Sequence, residues 1–390
     1  MGSRRFVSID MMRCLAIVGM VLCHFVLFWS VKDRSPLAYF FGGHILGDWP
    51  AAFFLVIVGV SLAVSLTRRE DKGEDMRQNR IRGVKRGLFV FAIGLLLSVC
   101  TSGLAAIFTW NILTLIGTAI ILIEILREVK PSLIVLLCTA VILVTPPLQK
   151  AVGYIEYWGG AMSPDAVMST FVPNLLYNNA GYYTPGFGMD AVTGFFVTGF
   201  FPVFPWIIFP LAGFLAGKVL FTSRMPVSPA WKFPQSLGIL CIILGLLLGY
   251  AGSLHPSSDI TGTIAAPFSF YPETTPMLLV QFGLACCVIW LFRQWFDGER
   301  QPAFWERTAE RISRYSLSLY IIHLLILEVP MEILYWMDPE SVPFMATISP
   351  VTALVLGVLF LIGFTILSGY WDRMKGRYSF EWIMAKVIGD

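Results

Sequence analysis

The chain has 390 residues, 56% of them hydrophobic and only 14% charged, with a mean hydropathy of +0.73. That excludes a soluble globular domain and fits an all-α, polytopic integral membrane protein. The formal charge of +3 is bland as a total and informative only once it is placed along the chain.

The first apolar run, SRRFVSIDMMRCLAIVGMVLCHFVLFW (Ser3–Trp29), is of membrane-spanning length yet carries an Asp, an Arg and a His. Ionisable groups inside a span are costly and mark candidate functional sites. Asp10 and Arg13 are three residues apart, on one face of a helix, and His24 lies about three turns further along roughly the same side. The run is too long for a signal-peptide core and no small-residue cleavage site follows, so it is expected to be retained. The rest of the chain is expected to form a bundle that shelters this face. One transmembrane domain over 1–390 is expected, with about ten spans near 7–29, 50–67, 86–104, 110–127, 131–148, 195–218, 235–254, 276–294, 312–331 and 349–369.

Lys and Arg set the orientation. With the N-terminus inside, 24 of the 28 fall on the inner side, and only Lys32, Arg34 and Lys150 fall outside. Both termini are therefore expected to be cytoplasmic, in the inner or plasma membrane. The basic stretch Arg68–Arg86 also holds four acids, so it reads as a solvated loop that fixes topology. The competing reading gives some of its cations an anionic cytosolic cofactor to attract. The outer segments 30–49, 149–194, 255–275 and 332–348 are rich in Gly, Pro, Tyr, Trp, Asn and Asp. NNAGYYTPGFGMD (Asn178–Asp190), which includes Tyr183 and Asp190, has the composition of an ordered aromatic loop suited to a polar ligand such as a sugar. An interfacial aromatic belt explains it equally well. Segment 195–218 holds Pro202, Pro205 and Pro210 beside Trp206. It reads either as a broken helix beside a site or as a simple kink. The seven cysteines lie mostly in apolar runs, without metal-ligand spacing, and read as free thiols. No nucleic-acid signature and no metal site are expected.

Of the four histidines, His24 and His323 lie about 25 Å and about 16 Å deep from the inner ends of their spans. His44 and Asp48 sit just above the second span. A lone buried His is most often a helix–helix contact, but two at comparable depth favour a site. A neutral imidazole suits a general base, and Asp48 could orient it. Arg13 either pairs with Asp10 or meets an anionic group from the cytosol. These features fit an enzyme whose site is reachable from both sides, or a proton-coupled transporter of a small polar solute. The absence of internal repeats weakens the transporter.

SIDMMRCLAIVGMVLCH (Ser8–His24) resembles the opening helix of the transmembrane acyltransferases. DWPAAFFLVIVGVSLAVS (Asp48–Ser65) is similar to the second helix of their heparan-α-glucosaminide N-acetyltransferase-like branch. WNILTLIGTA (Trp110–Ala119), GFFPVFPWIIFPLAGFLAGK (Gly199–Lys218), FYPETTP (Phe270–Pro276) and RYSLSLYIIHLLIL (Arg314–Leu327) resemble successive blocks of that branch, in the family's order. The resemblance implies transfer of an acyl group, usually acetyl, from acetyl-CoA on the cytoplasmic side to a sugar amine or hydroxyl on the other side. The acceptor would be a carbohydrate or glycolipid. His24 matches the histidine that closes the first-helix motif of the bacterial O-acyltransferases. His44 would be the counterpart of the loop histidine of the lysosomal enzyme, and His323 matches a late-helix histidine. The expected catalytic group is therefore His24, His44 and Asp48, with the choice of base between the two histidines open. Cofactor contacts are expected from Asp10, Arg13, Arg82 and Arg86, and substrate contacts from Tyr183, Asp190, Trp206 and His323. The lipid bilayer is a partner, and a homodimer is left open.

Overall fold

The computed structural model describes residues 6–104, 107–154, 189–221, 232–254, 260–298, 303–337 and 348–389. Each apolar interval of the sequence folds as helix: α1 (Val7–Trp29), α2 (Pro50–Asp71), α3 (Met76–Ser102), α4 (Ile112–Leu126), α5 (Pro131–Ala151), α6 (Ile208–Leu220), α7 (Phe233–Leu254), α8 (Thr275–Phe296), α9 (Phe304–Arg314), α10 (Ser316–Met337), α11 (Pro350–Arg373) and a terminal α12 (Phe380–Ile388). Local chemistry starts several of them. Asp75, Asn111 and Ser349 accept backbone N–H bonds in the first turns of α3, α4 and α11, and Pro50 and Pro131 open α2 and α5. Among the described residues two isolated bridges occur, Ser30 with Ile348 and Phe270 with Glu273, and no strand.

Among the described residues, eight helical stretches are long and apolar enough to cross a membrane, and α9 with the first part of α10 makes a ninth bent by 72°. The remaining interval holds α4, only 15 residues long, or about 22 Å. One local expectation needs correcting, and another, the break within 195–218, is met. The basic stretch is not a loop: α2 runs on to Asp71 and α3 begins at Met76, so charged residues extend both helices past the apolar core. The segment 195–218 is not one helix. Its chain passes from a π-helical turn (Gly194–Thr198) through a short helix (Val203–Trp206), with Phe204 out of helical geometry, before α6 begins. The N–H groups of Phe200 and Phe201 in this break donate to the carbonyls of Thr109 and Trp110, so the freed backbone is satisfied by a neighbour.

α1 is the hub. It packs against α2, α8, α9, α10 and α11, which brings both halves of the chain around one face. Its inner end is held by Asp297, whose two oxygens accept from the Ser8 backbone N–H at 3.0 Å and the Ser8 hydroxyl at 2.6 Å. Near its outer end the Trp29 indole N–H donates to the Leu327 carbonyl of α10 at 3.1 Å. α2 and α6 touch along their backbones: a Cβ at Gly59 would collide with the Pro210 carbonyl, and one at Gly213 with the Val56 carbonyl. Small residues let membrane helices approach this closely, where dispersion must replace the hydrophobic effect between apolar surfaces already in lipid.

Candidate active site

On the outer half of α1, Met20, Cys23, His24 and Leu27 face one cavity. Its second wall comes from the chain between α1 and α2. A short helix (Pro36–Phe40) passes into a π-helical turn (Phe41–Ile45), and such turns recur at functional sites. Gly42 and Gly43 lie flat against Val26 and Leu27 of α1, leaving no room for a Cβ at Gly42. That close approach brings His44 over the mouth, and the Cys23 thiol donates to the Gly43 carbonyl at 3.6 Å.

The cavity holds about 740 Å³ of space including its opening, and His24, His44 and Asp48 all line it. Pro50, Ala51, Ile112, Phe201, Phe270, Tyr271 and Tyr320 complete the wall. The three residues expected to be catalytic are thus brought together. His44 Nδ1 lies 3.6 Å from Asp48 Oδ2, with side chains 24% and 35% exposed, so the orienting carboxylate faces His44 rather than His24. The Asp48 backbone is fixed from the other side, where Gln281 Nε2 donates to its carbonyl at 2.6 Å.

The ring partner of His24 is His323. His24 Nδ1 lies 2.9 Å from His323 Nε2, and His323 Nδ1 lies 3.1 Å from the Leu319 carbonyl. A carbonyl only accepts, so His323 Nδ1 carries the proton. In a neutral His323 the Nε2 is then an acceptor, and His24 Nδ1–H must donate to it. His24 Nε2 then keeps its lone pair, and the ring lines the cavity. Two linked neutral imidazoles of this kind have the geometry that a base and its orienting partner would need.

A second cavity, about 670 Å³ including its opening, adjoins the first at His24. His24, Phe201, Tyr271 and Tyr320 are common to both cavities, and the second adds hydroxyl and amide groups of α3 and α4 and the Glu328 carboxylate of α10.

Several expected site residues stand elsewhere. His323 is fully buried and, among the described residues, lines neither cavity. It meets His24 because α10 presents it to α1, the structural-partner role that a late-helix histidine can also take. Trp206 is 1% exposed and likewise lines neither. Its ring packs behind Phe201 and Phe270 at 4.9 and 5.1 Å, because the helix break turns Phe201 forward and Trp206 into the core. At the inner end the hydroxyl of Ser313 donates to Asp10 Oδ1 at 2.7 Å and accepts from Arg13 Nη1 at 3.0 Å, while Arg13 Nη2 donates to Ser61. Asp10 and Arg13 therefore join α1 to α2 and α9. Arg82 faces Glu74 at 3.5 Å, and Arg86 is exposed on the same helix. α3 packs against α4, α10 and α12. Tyr183 lies outside the described residues, and Asp190 sits in a short helix (Met189–Thr193) whose side-chain position is not described.

The sequence reading passed over Tyr271, Tyr320, Asn111 and Glu328. Glu328 carried a signal, being a carboxylate within the ninth span interval, and Asn111 and Tyr271 stood inside recognisable blocks. Another such residue is Glu273. It is 3% exposed, among the described residues neither carboxylate oxygen has a hydrogen-bond partner, and burial, with Asp48 adding to it, holds its carboxyl well above the ordinary 4.5. Among the described residues no group of three His, Cys, Asp or Glu is placed to hold a metal ion.

A family model described as heparan-alpha-glucosaminide N-acetyltransferase, catalytic, matches residues 5–248, well over half of the chain. The chain belongs to this family. It is thus an integral, multi-pass member of a membrane acetyltransferase family, and the transporter reading gives way to a transferase. The matched region holds α1 to α6 and most of α7, with His24, His44, Asp48 and Asn111. His323, Tyr320, Tyr271 and Glu328 come from the chain beyond it and close the same site. No curated protein matches the chain.

Proposed function

We propose that this protein moves an acetyl group from acetyl-CoA, arriving from the cytoplasm, to a hydroxyl or amine of a glycan or glycolipid on the outer face of the cytoplasmic membrane. The observation that supports the reading is the His24–His323 ring contact, with His24 in the lining of two cavities. A thioester is already activated. The protein has to hold the acceptor, take its proton and stabilise the charge that develops on the thioester oxygen.

The acceptor oxygen or nitrogen attacks the thioester carbonyl as His24 Nε2 removes its proton, forming the new C–O or C–N bond. The resulting imidazolium is stabilised through Nδ1–H and the His323 ring. The tetrahedral species then collapses, the C–S bond breaks, and His24 returns the proton to the departing thiolate. Tyr271 and Tyr320, which share both cavities with His24, are the phenols that would donate to the oxyanion. The His44–Asp48 pair stands across the first cavity as the competing base.

Binding is tested by thermal unfolding of the detergent-purified protein with acetyl-CoA, with free CoA and desulfo-CoA as controls. Specific stabilisation, accompanied by transfer of radiolabelled acetyl to membrane glycolipid or added amino sugar, is the expected result. No stabilisation at millimolar acetyl-CoA and no transfer would overturn the reading.

A further inference from the structure

The stretch between α1 and α2 has a face that the transferase reading does not use. Leu37 is 80% exposed, and Phe40, Phe41 and Ile45 are each about half exposed. They fall at positions i, i+3, i+4 and i+8, one side of a helical turn. Tyr39, Gly42 and Gly43 lie on the other side and are buried. Tyr39 packs with Val26 of α1 and Ala353 of α11, while Gly42 meets Val26 and Gly43 meets Leu27. One face is pressed onto the bundle. The other carries four large apolar side chains and points away from it.

Contacts with α1 fix the depth. Val26 is three residues short of the outer end of α1 at Trp29, about 4.5 Å below it. Further along, Gly47 lies against Cys23 and the Trp49 ring against Gly19, about 15 Å below that end. The chain therefore turns back along α1 instead of staying outside the bundle as a loop.

Both borders of the apolar face point to lipid. Lys32, Asp33 and Arg34 are exposed just before the stretch, where charge belongs at the headgroup level. The short helix Pro36–Phe40 packs on α11, whose outer turns expose Val351, Val355 and Leu359. α11 is long and apolar enough to cross a membrane, so the new face adjoins a lipid-facing surface and continues it. A contiguous apolar patch is rare on a surface that meets water. Pressed into the boundary between headgroups and acyl chains, such a face is instead the mark of an interfacial segment.

Gly43, His44, Gly47 and Asp48 of the same stretch line the first cavity. We infer that residues 36–45 are seated in the outer leaflet, with Leu37, Phe40, Phe41 and Ile45 against phospholipid acyl chains and the opposite face at the rim of the cavity. Bilayer hydrocarbon is then the partner that backs the turn carrying His44, and one turn of chain separates it from the site.

The test replaces Phe41 with p-benzoylphenylalanine in the full-length protein, reconstituted in dioleoylphosphatidylcholine vesicles. On irradiation the ketone adds into a neighbouring C–H bond, and intact-protein mass spectrometry reads what was captured. The expected result is a gain of one phospholipid mass. Ile366, exposed on α11, should capture lipid in the same way when replaced. Lys72, exposed in the turn between α2 and α3, should capture none. If the Phe41 variant does not fold, Leu37 is the substitute position. Capture at Phe41 as poor as at Lys72 would put the face in water and overturn the inference. So would a crosslinked dimer, which would give the face to a second copy of this chain, or a crosslink within one chain. The readout needs no acetyl-CoA, so its failure and that of the transferase reading are told apart.

Discussion

His24 Nδ1 lies 2.9 Å from His323 Nε2, although 299 positions separate the two residues. The pair joins the first and the late helix at the level of the site and fixes the tautomer of the histidine that faces both cavities. A general base contributes about 10²–10⁴-fold to a rate, so His24→Ala should lose transfer by that factor with its unfolding temperature little changed. His323→Ala removes only the orienting hydrogen bond, worth about 0.5–1.5 kcal/mol, and should cost about tenfold in kcat with KM for acetyl-CoA unchanged. Equal losses in the two variants would sink the assignment of roles.

The His44–Asp48 pair, at 3.6 Å, is the internal competitor. If His24 is the base, His44→Ala should retain transfer within about tenfold of wild type, the loss of one oriented polar contact. Single-turnover rates of His24→Ala and His44→Ala compared side by side settle which imidazole takes the proton.

Arg13 reaches Ser61 and Ser313, and Asp10 shares Ser313 with it. Arg13→Gln should therefore lower stability by about 1.5–3 kcal/mol, the range for hydrogen bonds to a charged group. Its acetyl-CoA KM should stay within about twofold. A selective rise in KM, with thermal stability intact, would instead give the guanidinium a cofactor phosphate.

Glu273 gives a pH dependence. Its folded carboxyl titrates well above the ordinary 4.5, through burial first and Asp48 second. Between 4.5 and the raised value the unfolded chain gives up this proton while the folded protein keeps it, so stability falls as pH rises through that window. Glu273→Gln keeps the shape and cannot ionise. Its unfolding temperature should decline less than that of the wild type between about pH 5 and pH 8. Parallel curves for the two proteins would show that Glu273 is charged or exposed when folded.

Gly47 packs where a methyl would collide with the Gly43 carbonyl and the Cys23 sulfur. Gly47→Ala should displace the turn that carries His44, costing about 1–3 kcal/mol as an overpacked core does, and should lower transfer as well. Gly298→Ala, which meets open space, is the control and should change neither.

The sequence by itself determined the class of the protein, the positions of its helices and the presence of His24, His44 and Asp48 near one level. Those follow from local quantities, namely apolar runs of spanning length and residues a fixed number of turns apart. FYPETTP and the proline-rich segment were legible as unusual blocks for the same reason. Partners across the bundle were not. Which face of α10 meets α1, and so whether His323 touches substrate or His24, depends on helix rotation. That rotation is set by close contacts far apart in sequence, such as Trp29 on Leu327. The same holds for Trp206, turned inward where Phe201 turns outward, and for Arg13, held by hydroxyls of α2 and α9 rather than left free at the inner mouth. Hydropathy is summed along one helix and carries no record of its neighbours. Only packing, with glycines such as Gly59 and Gly213 admitting a backbone at close range, decided which side chains share a cavity.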